Sequence, residues 1–294
     1  MTYYYSLYDF IVQSELQLPA PPLPSSANSV TISYGSVSPQ GLANPIFCGF
    51  AYQASSTDFW LNIPSVARFL VSKGQSIVID AVKGIDDDSL QTFLLSTCME
   101  VLLSQRQLTV LPGYALKMGD YGISFLGNGG LGQSMLQGLW YKQGYSFLTG
   151  NFVVFNSRGE MLPGITQLDC LPAVVSSLKL EKQVLKTLRP NLKKCVIPLE
   201  QQYHTNPLHP QIIYTFKMHD QAEVLFTELD HNSKLSYLQQ LMSSNILPVE
   251  LWSTRPKPDL IPIVCIQLPM AELKLQPLAD AIKQDVMKRG HSYA

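Results

Sequence analysis

FLGNGGLGQSML, residues 125–136, runs from apolar to glycine-rich to helix-like, and its reading decides the fold. A phosphate-binding loop follows the pattern G-x-x-x-x-G-K-[ST]. Gly127 and Gly132 hold its two fixed glycine positions and Ser134 its hydroxyl position, with Gly129 and Gly130 between. The lysine position is Gln133. A strand, a glycine loop and a helix in that order make an anion cradle. The glycines turn backbone N–H groups inward, and the helix N-terminus favours negative charge. The alternative is a plain turn between a strand and a helix.

Around this loop the chain changes character once. The first eighty or so residues read as mostly β. Residues 3–18 alternate, VTISYG and FCGFAY are short strands, and DFWLNIPSVARFLVSKGQSIVIDAV is a set of strands joined by a tight SKGQ turn. KGIDDD interrupts the apolar pattern, so we expect a boundary at residues 84/85, with a mostly β region over 1–84 and a core over 85–294. DDDSLQTFLLSTCMEVLLSQRQ has an acidic start, suited to a helix N-terminus, and is apolar on more than one face, which predicts a buried helix. LTVLPGYALKM and YGISFLG are strands around Gly119-Asp120, and SMLQGLWYKQG is a helix stopped at Gly144. YSFLTGNFVVFN is strand, broken at Thr149-Gly150. A helix around 171–187 is expected to end before Pro190. KKCVIPL, QIIYTFKM, EVLFTEL and LIPIVCIQLP read as strands, SKLSYLQQLMSS as a helix, and the chain closes with an amphipathic helix interrupted at Pro277.

Composition narrows the partners. Charged residues are 15% of 294 and the net charge is −1. That leaves no electrostatic footprint for nucleic acid and no basic cluster for a membrane surface. The longest apolar runs fall well short of the roughly 20 residues of a spanning helix. The start has no signal-peptide pattern, so a cytoplasmic protein is expected. Five scattered cysteines without a C-x-x-C pair argue against a disulfide framework or zinc site. His204 and His209 are not read as ligands. A surface this low in charge suits burial against a partner, and homo-oligomerisation stays open.

The order of YDFIVQSELQLP, VARFLV, a helix closing in LLSQRQL, the glycine loop and LRPNLKKCVIPL resembles the HPr kinase/phosphorylase-like family. It is most similar to the stand-alone serine-kinase relatives found beside bacterial peptide-modifying gene clusters. The resemblance implies an α/β (α+β) fold, with a small mostly β N-terminal region on an HPr-kinase/PEP-carboxykinase-like P-loop core. It also implies a histidine on the strand that follows the buried helix, a loop lysine, and an aspartate pair after the loop helix. Those positions fall on Pro112, Gln133, and Gly150 with Asn151. None can do the family's chemistry. Gln133 has no charge for the β- and γ-phosphates, and neither Gly150 nor Asn151 supplies a carboxylate for Mg²⁺ or for the attacking hydroxyl. Losing a single preorganised electrostatic group commonly costs about 10²–10³ in rate.

The reading is therefore a catalytically inactive relative, a pseudokinase that binds, scaffolds or regulates a protein or peptide partner, with no metal or cofactor. Any retained anion site would use Gly127, Gly129, Gly130, Gly132, Gln133, Ser134 and Arg189, for ATP, ADP or phosphate held weakly without Mg²⁺. Two alternatives stand beside it. One is a nucleotide sensor without turnover. The other is an active serine or peptide kinase rewired through Asp169 or Glu160. Asp120 and Lys142 are two further charged residues near the loop; Lys142 reads as solvated surface.

Overall fold

A computed structural model describes residues 1–25, 27, 29–188, 194–220, 223–243, 261–269 and 274–290. It is mixed α+β, with three sheets and few helices. It divides into two compact units. One is Met1–Val110 with two short later segments, and the other comprises Leu111–Thr187, Lys193–Leu241 and Pro256–Ala294. The first unit's edge at Val110 lies beyond the boundary expected at 84/85. The reason is local: the long apolar helix that begins at Asp87 clusters with the strands before it rather than with the glycine loop after it.

The first unit is built on one eight-stranded sheet. Its strands are β1 (Tyr3–Leu7), β2 (Phe10–Ser14), β3 (Val30–Tyr34), β4 (Phe47–Cys48), β5 (Tyr52–Ala54), β6 (Asp58–Ile63), β7 (Ala67–Ser72) and β8 (Ser76–Ala81). They lie in the order β1-β2-β3-β8-β7-β6-β5-β4. The alternating stretch read as an opening strand is a hairpin, because Tyr8 and Asp9 take positive φ (52° and 64°) and turn the chain. Ile32, Phe59, Phe69, Val71 and Ile77 are wholly buried by alternation on β3, β6, β7 and β8. Arg68 pairs with Asp80 at 2.7 Å across β7 and β8, and Asp80 also accepts from the Val37 N–H. Both bonds, led by the backbone one, hold its carboxyl below the usual range.

The edge strand β4 is two residues long. Ile46, Phe47 and Phe50 around it are exposed, Phe50 completely. Residues 16–57 contain no Lys, Arg, Asp, Glu or His at all.

The acidic helix start behaves as its sequence demands. Asp86 caps α1 (Asp87–Phe93), accepting from the Ser89 N–H at 2.7 Å and the Ser89 hydroxyl at 2.8 Å. A wider π turn over Leu94–Cys98 then passes into α2 (Met99–Gln105). Leu90, Leu94, Leu95, Met99, Val101, Leu102 and Leu103 are buried, so the helix is enclosed on more than one side, as its pattern implies.

The second unit begins within β9 (Thr109–Met118), at Leu111, and continues with β10 (Tyr121–Leu126), α3 (Leu131–Lys142), β11 (Ser146–Thr149) and β12 (Phe152–Phe155). Next come β13 (Gln167–Cys170), α4 (Pro172–Leu178), β14 (Lys186–Leu188) and β15 (Lys194–Pro198). The last elements are β16 (Pro210–His219), β17 (Leu225–Glu228), α5 (His231–Ser243), β18 (Ile263–Pro269) and α6 (Leu275–Gly290). The larger sheet has the order β11-β9-β10-β16-β18-β17, with β12 also paired to β9. β10, β16 and β18 run parallel, and β9 and β17 flank them antiparallel. β13, β15 and β14 form a small separate sheet.

Two helical expectations change. The helix expected around 171–187 is only α4, because Lys179 takes a left-handed conformation (φ 56°) that ends it; residues 186–188 pair in the small sheet instead. Pro277 does not interrupt the last helix. It sits in the first turn of α6, where a missing N–H costs nothing. The core of the larger sheet is aromatic. Phe125 stacks on Tyr114 at 4.8 Å and on Tyr214 at 5.4 Å, with Trp140 of α3 at 6.3 Å. This packing fixes β10 and α3, the two elements that carry the glycine loop.

Candidate functional site: the glycine loop and its cleft

β10 ends at Leu126, and the chain crosses Gly127–Gly130 before α3 begins. Gly129 and Gly130 have φ of 84° and 142°, conformations that side-chain-bearing residues avoid. The loop therefore needs its glycines whatever it binds. The first intrahelical bond runs from the Ser134 N–H to the Gly130 carbonyl at 3.0 Å. The N–H groups of the preceding turn have no acceptor within the helix.

Parallel pairing then places a cleft. Phe125 on β10 is opposite Tyr214 on β16, so Phe216, Lys217 and Met218 run on beyond the end of β10, beside the loop. β18 keeps pace, pairing Lys217 with Gln267 and Met218 with Leu268. α5 adds Tyr237, whose hydroxyl donates to the Leu126 carbonyl at 2.9 Å; burial pushes its pKa up to about 12. The cleft has a volume of 390 Å³, within the range of small-ligand sites. It lies at the carboxyl ends of parallel strands, where open α/β sheets hold their ligands. Gly127, Gly129, Gly130, Gly132 and Gln133 wall it. Ser134 is not among its lining residues, and Arg189 falls outside the described residues.

The positions matched to the family's catalytic groups come together around this loop. The Gly127 N–H donates to the Pro112 carbonyl at 3.0 Å. The next residue, Gly113, donates its N–H to the Asn151 carbonyl at 3.2 Å. Gln137, one turn along α3 from Gln133, donates to the Gly150 carbonyl at 2.8 Å. Gln133 itself folds back, its Nε2 reaching the Phe125 carbonyl at 3.3 Å. A Cβ on Gly150 would stand 2.6 Å from the Gln167 carbonyl oxygen and 2.7 Å from the Leu168 Cδ2. No side chain fits at Gly150 without moving the backbone of β13.

The charged residues named from sequence separate into distinct settings. Asp169 lies next to Asn151: the Asn151 Nδ2 is 3.5 Å from one carboxylate oxygen, and the Gln167 Nε2 donates to the other at 3.1 Å. Burial raises the Asp169 pKa, opposed by the charge of Lys194, by these two hydrogen bonds and by Lys186. The sequence offers Asp169 and Glu160 alike as carboxylates for a rewired site; the fold brings Asp169, on β13, beside Asn151. Glu160 is committed elsewhere, to Asn156 at 2.7 Å, Arg158 at 2.7 Å and His209 at 3.6 Å. Asp120 occupies the turn before β10, at the opposite end of that strand from the loop. Lys142 is exposed, and its ammonium donates to the Leu178 carbonyl at 2.9 Å, at the end of α4. Among the described residues no three His, Cys, Asp or Glu side chains cluster as a metal site. Nor is any described helix long and apolar enough to cross a membrane.

No protein-family model matches the chain. No curated protein matches it either. Among solved structures it is similar to the Hpr(Ser) kinase/phosphatase from Coxiella burnetii, at 10% identity, over 61% of this chain and 97% of that one, with a TM-score of 0.33. That likeness is distant and assigns no chemistry to these residues.

Proposed function

We propose that the chain is a catalytically inactive HPr-kinase-like protein, with a P-loop-like core, that acts by binding a protein or peptide partner. One observation carries the reading. Pro112, Gln133, Gly150 and Asn151 gather around a glycine loop, and their side chains bring no base, no cation and no carboxylate to it. Phosphoryl transfer rests on positioning and charge stabilisation, and this constellation keeps the first and lacks the second. The absence of room for a Cβ at Gly150 supports the same reading, because the loss there is built into the backbone packing.

A second reading is favoured by Asp169 alone. A carboxylate of raised pKa beside Asn151 is a candidate general base for a rewired kinase. One assay separates the two. Purified chain is incubated with ATP and Mg²⁺, and ADP release is followed for many hours. The binding reading expects no release above a protein-free blank. Release that disappears in Asp169→Asn would overturn it in favour of the rewired kinase.

A further inference from the structure

We propose that the β4 edge pairs with β4 of a second copy of this chain, antiparallel about a two-fold axis, and makes the protein a weak dimer. The edge is shaped for contact. All residues from Ala43 to Phe50 are exposed, and Ile46, Phe47 and Phe50 present large apolar side chains, Phe50 in full. Phe47 and Cys48 point to opposite faces of the sheet and neither is covered, so the hairpin projects on both sides. It is also held in place. The Ile46 N–H donates to the Ala54 carbonyl at 2.7 Å, the Gly49 N–H to the Tyr52 carbonyl at 2.9 Å, and the Tyr52 ring stacks on Phe59 at 5.6 Å. A surface already ordered loses little freedom when it is covered.

Charge, topology and area together make the occupant a second copy. Sheet edges are commonly kept apart by lysines or inward-pointing charges. Residues 16–57 hold no Lys, Arg, Asp, Glu or His, so β4, β5 and the turn between them meet their own image without like-charge repulsion. The far edge of the same sheet is already taken. The Ser6 N–H donates to the Pro21 carbonyl at 3.0 Å, the Leu23 N–H donates to the Tyr4 carbonyl at 2.8 Å, and Pro22 bridges Tyr5. β4 therefore cannot join head to tail with β1 of the next copy, and self-pairing closes as a dimer instead of growing into a filament. Phe50, Ile46 and Phe47 offer on the order of 400 Å² of apolar surface, about half of the ~800 Å² per partner in a standard interface. The edge backbone and the other exposed residues of 43–50 add to it, which suits a dimer of micromolar affinity.

The test is sedimentation velocity of the full chain across the micromolar range, with a bismaleimide cross-linker to report which surfaces meet. Cys48 is exposed and the other four cysteines are buried. Two-fold pairing brings the two copies of Cys48 within about 10 Å. Wild type is expected to pass from monomer to dimer with concentration, and the reagent to couple the dimer in wild type but not in Cys48→Ser. Phe50→Asp should weaken the dimer by about 100-fold or more, because it removes an apolar anchor from each copy and sets two like charges together. Because Phe50 is wholly exposed, this variant should keep the wild-type melting temperature. A chain that stays monomeric overturns the inference, as does a dimer that Phe50→Asp leaves unchanged, or assembly beyond a dimer. None of these outcomes bears on the glycine loop, so the proposed function stands or falls on its own assay.

Discussion

Gly150→Ala adds a single carbon, and the structure says where it would go. The new Cβ would lie 2.6 Å from the Gln167 carbonyl oxygen, 2.7 Å from Leu168 Cδ2 and 3.4 Å from Leu168 Cα. The leucine terminus can swing aside, but the carbonyl belongs to β13, which is pinned to β15 by pairing from Gln167 to Cys170. Gly150 is itself fixed from the other side by Gln137 of α3. Overpacking of this kind costs about 1–3 kcal/mol. Reduced freedom of the unfolded chain returns about 0.4–1 kcal/mol, since Gly150 is not in the left-handed region. The expected net loss is about 1–2 kcal/mol. At about 2–4 °C per kcal/mol for a cooperative unit of roughly 150–250 residues, the melting temperature should fall by about 2–8 °C. Thermal and urea unfolding, monitored by circular dichroism, measure this directly. If Gly150→Ala melts at the wild-type temperature, the packing argument fails, and with it the claim that a carboxylate can no longer be housed at this position.

Two further perturbations test other parts of the structure. Tyr214, fully buried, donates to Asp285 at 2.8 Å, and Asp285 also holds Arg289, which reaches Glu228 at 3.0 Å. Asp285→Ala should cost about 1–3 kcal/mol by orphaning the tyrosine hydroxyl, and Tyr214→Phe in the same background should recover part of it, read by urea titration of the four-member cycle. Burial raises the Glu100 pKa to about 7 from an ordinary 4.5. A raised carboxyl gives stability that is complete below pH 4.5 and lost as pH rises through 7, because the folded form holds its proton longer than the unfolded chain does. Glu100→Gln should therefore match wild type near pH 4 and exceed it at pH 8 by on the order of 2–3 kcal/mol. A constant difference across that window would show that Glu100 does not titrate on unfolding.

Much of the fold was legible because its signals are local. The turn at Gly119-Asp120, the helix stop at Gly144 and the break at Thr149-Gly150 all lie where the sequence places them. Each depends on a glycine or a change of period within a few residues. The opening hairpin was not legible, because Tyr8 and Asp9 turn at positive φ without glycine and the alternation continues across them. The short α4 was missed for a similar reason: Lys179 ends it in a conformation that its residue type does not advertise. In the site, the glycines and the empty positions could be read by linear spacing. Asp169 could be named only as one of two candidate carboxylates, because its place beside Asn151 comes from the folding of β13 against that position rather than from spacing.

The uncharged stretch over residues 16–57 has a consequence for how the molecule responds to its medium. The edge at β4 presents Phe47 and Phe50 from a run of sequence with nothing that ionises at neutral pH. Attractions there are apolar, so charge screening and a moderate change of pH leave them unaltered, whereas salting-out anions such as sulfate strengthen them. Contacts made through that edge are therefore expected to survive added chloride and to tighten in sulfate, and a series in the two salts measures this directly.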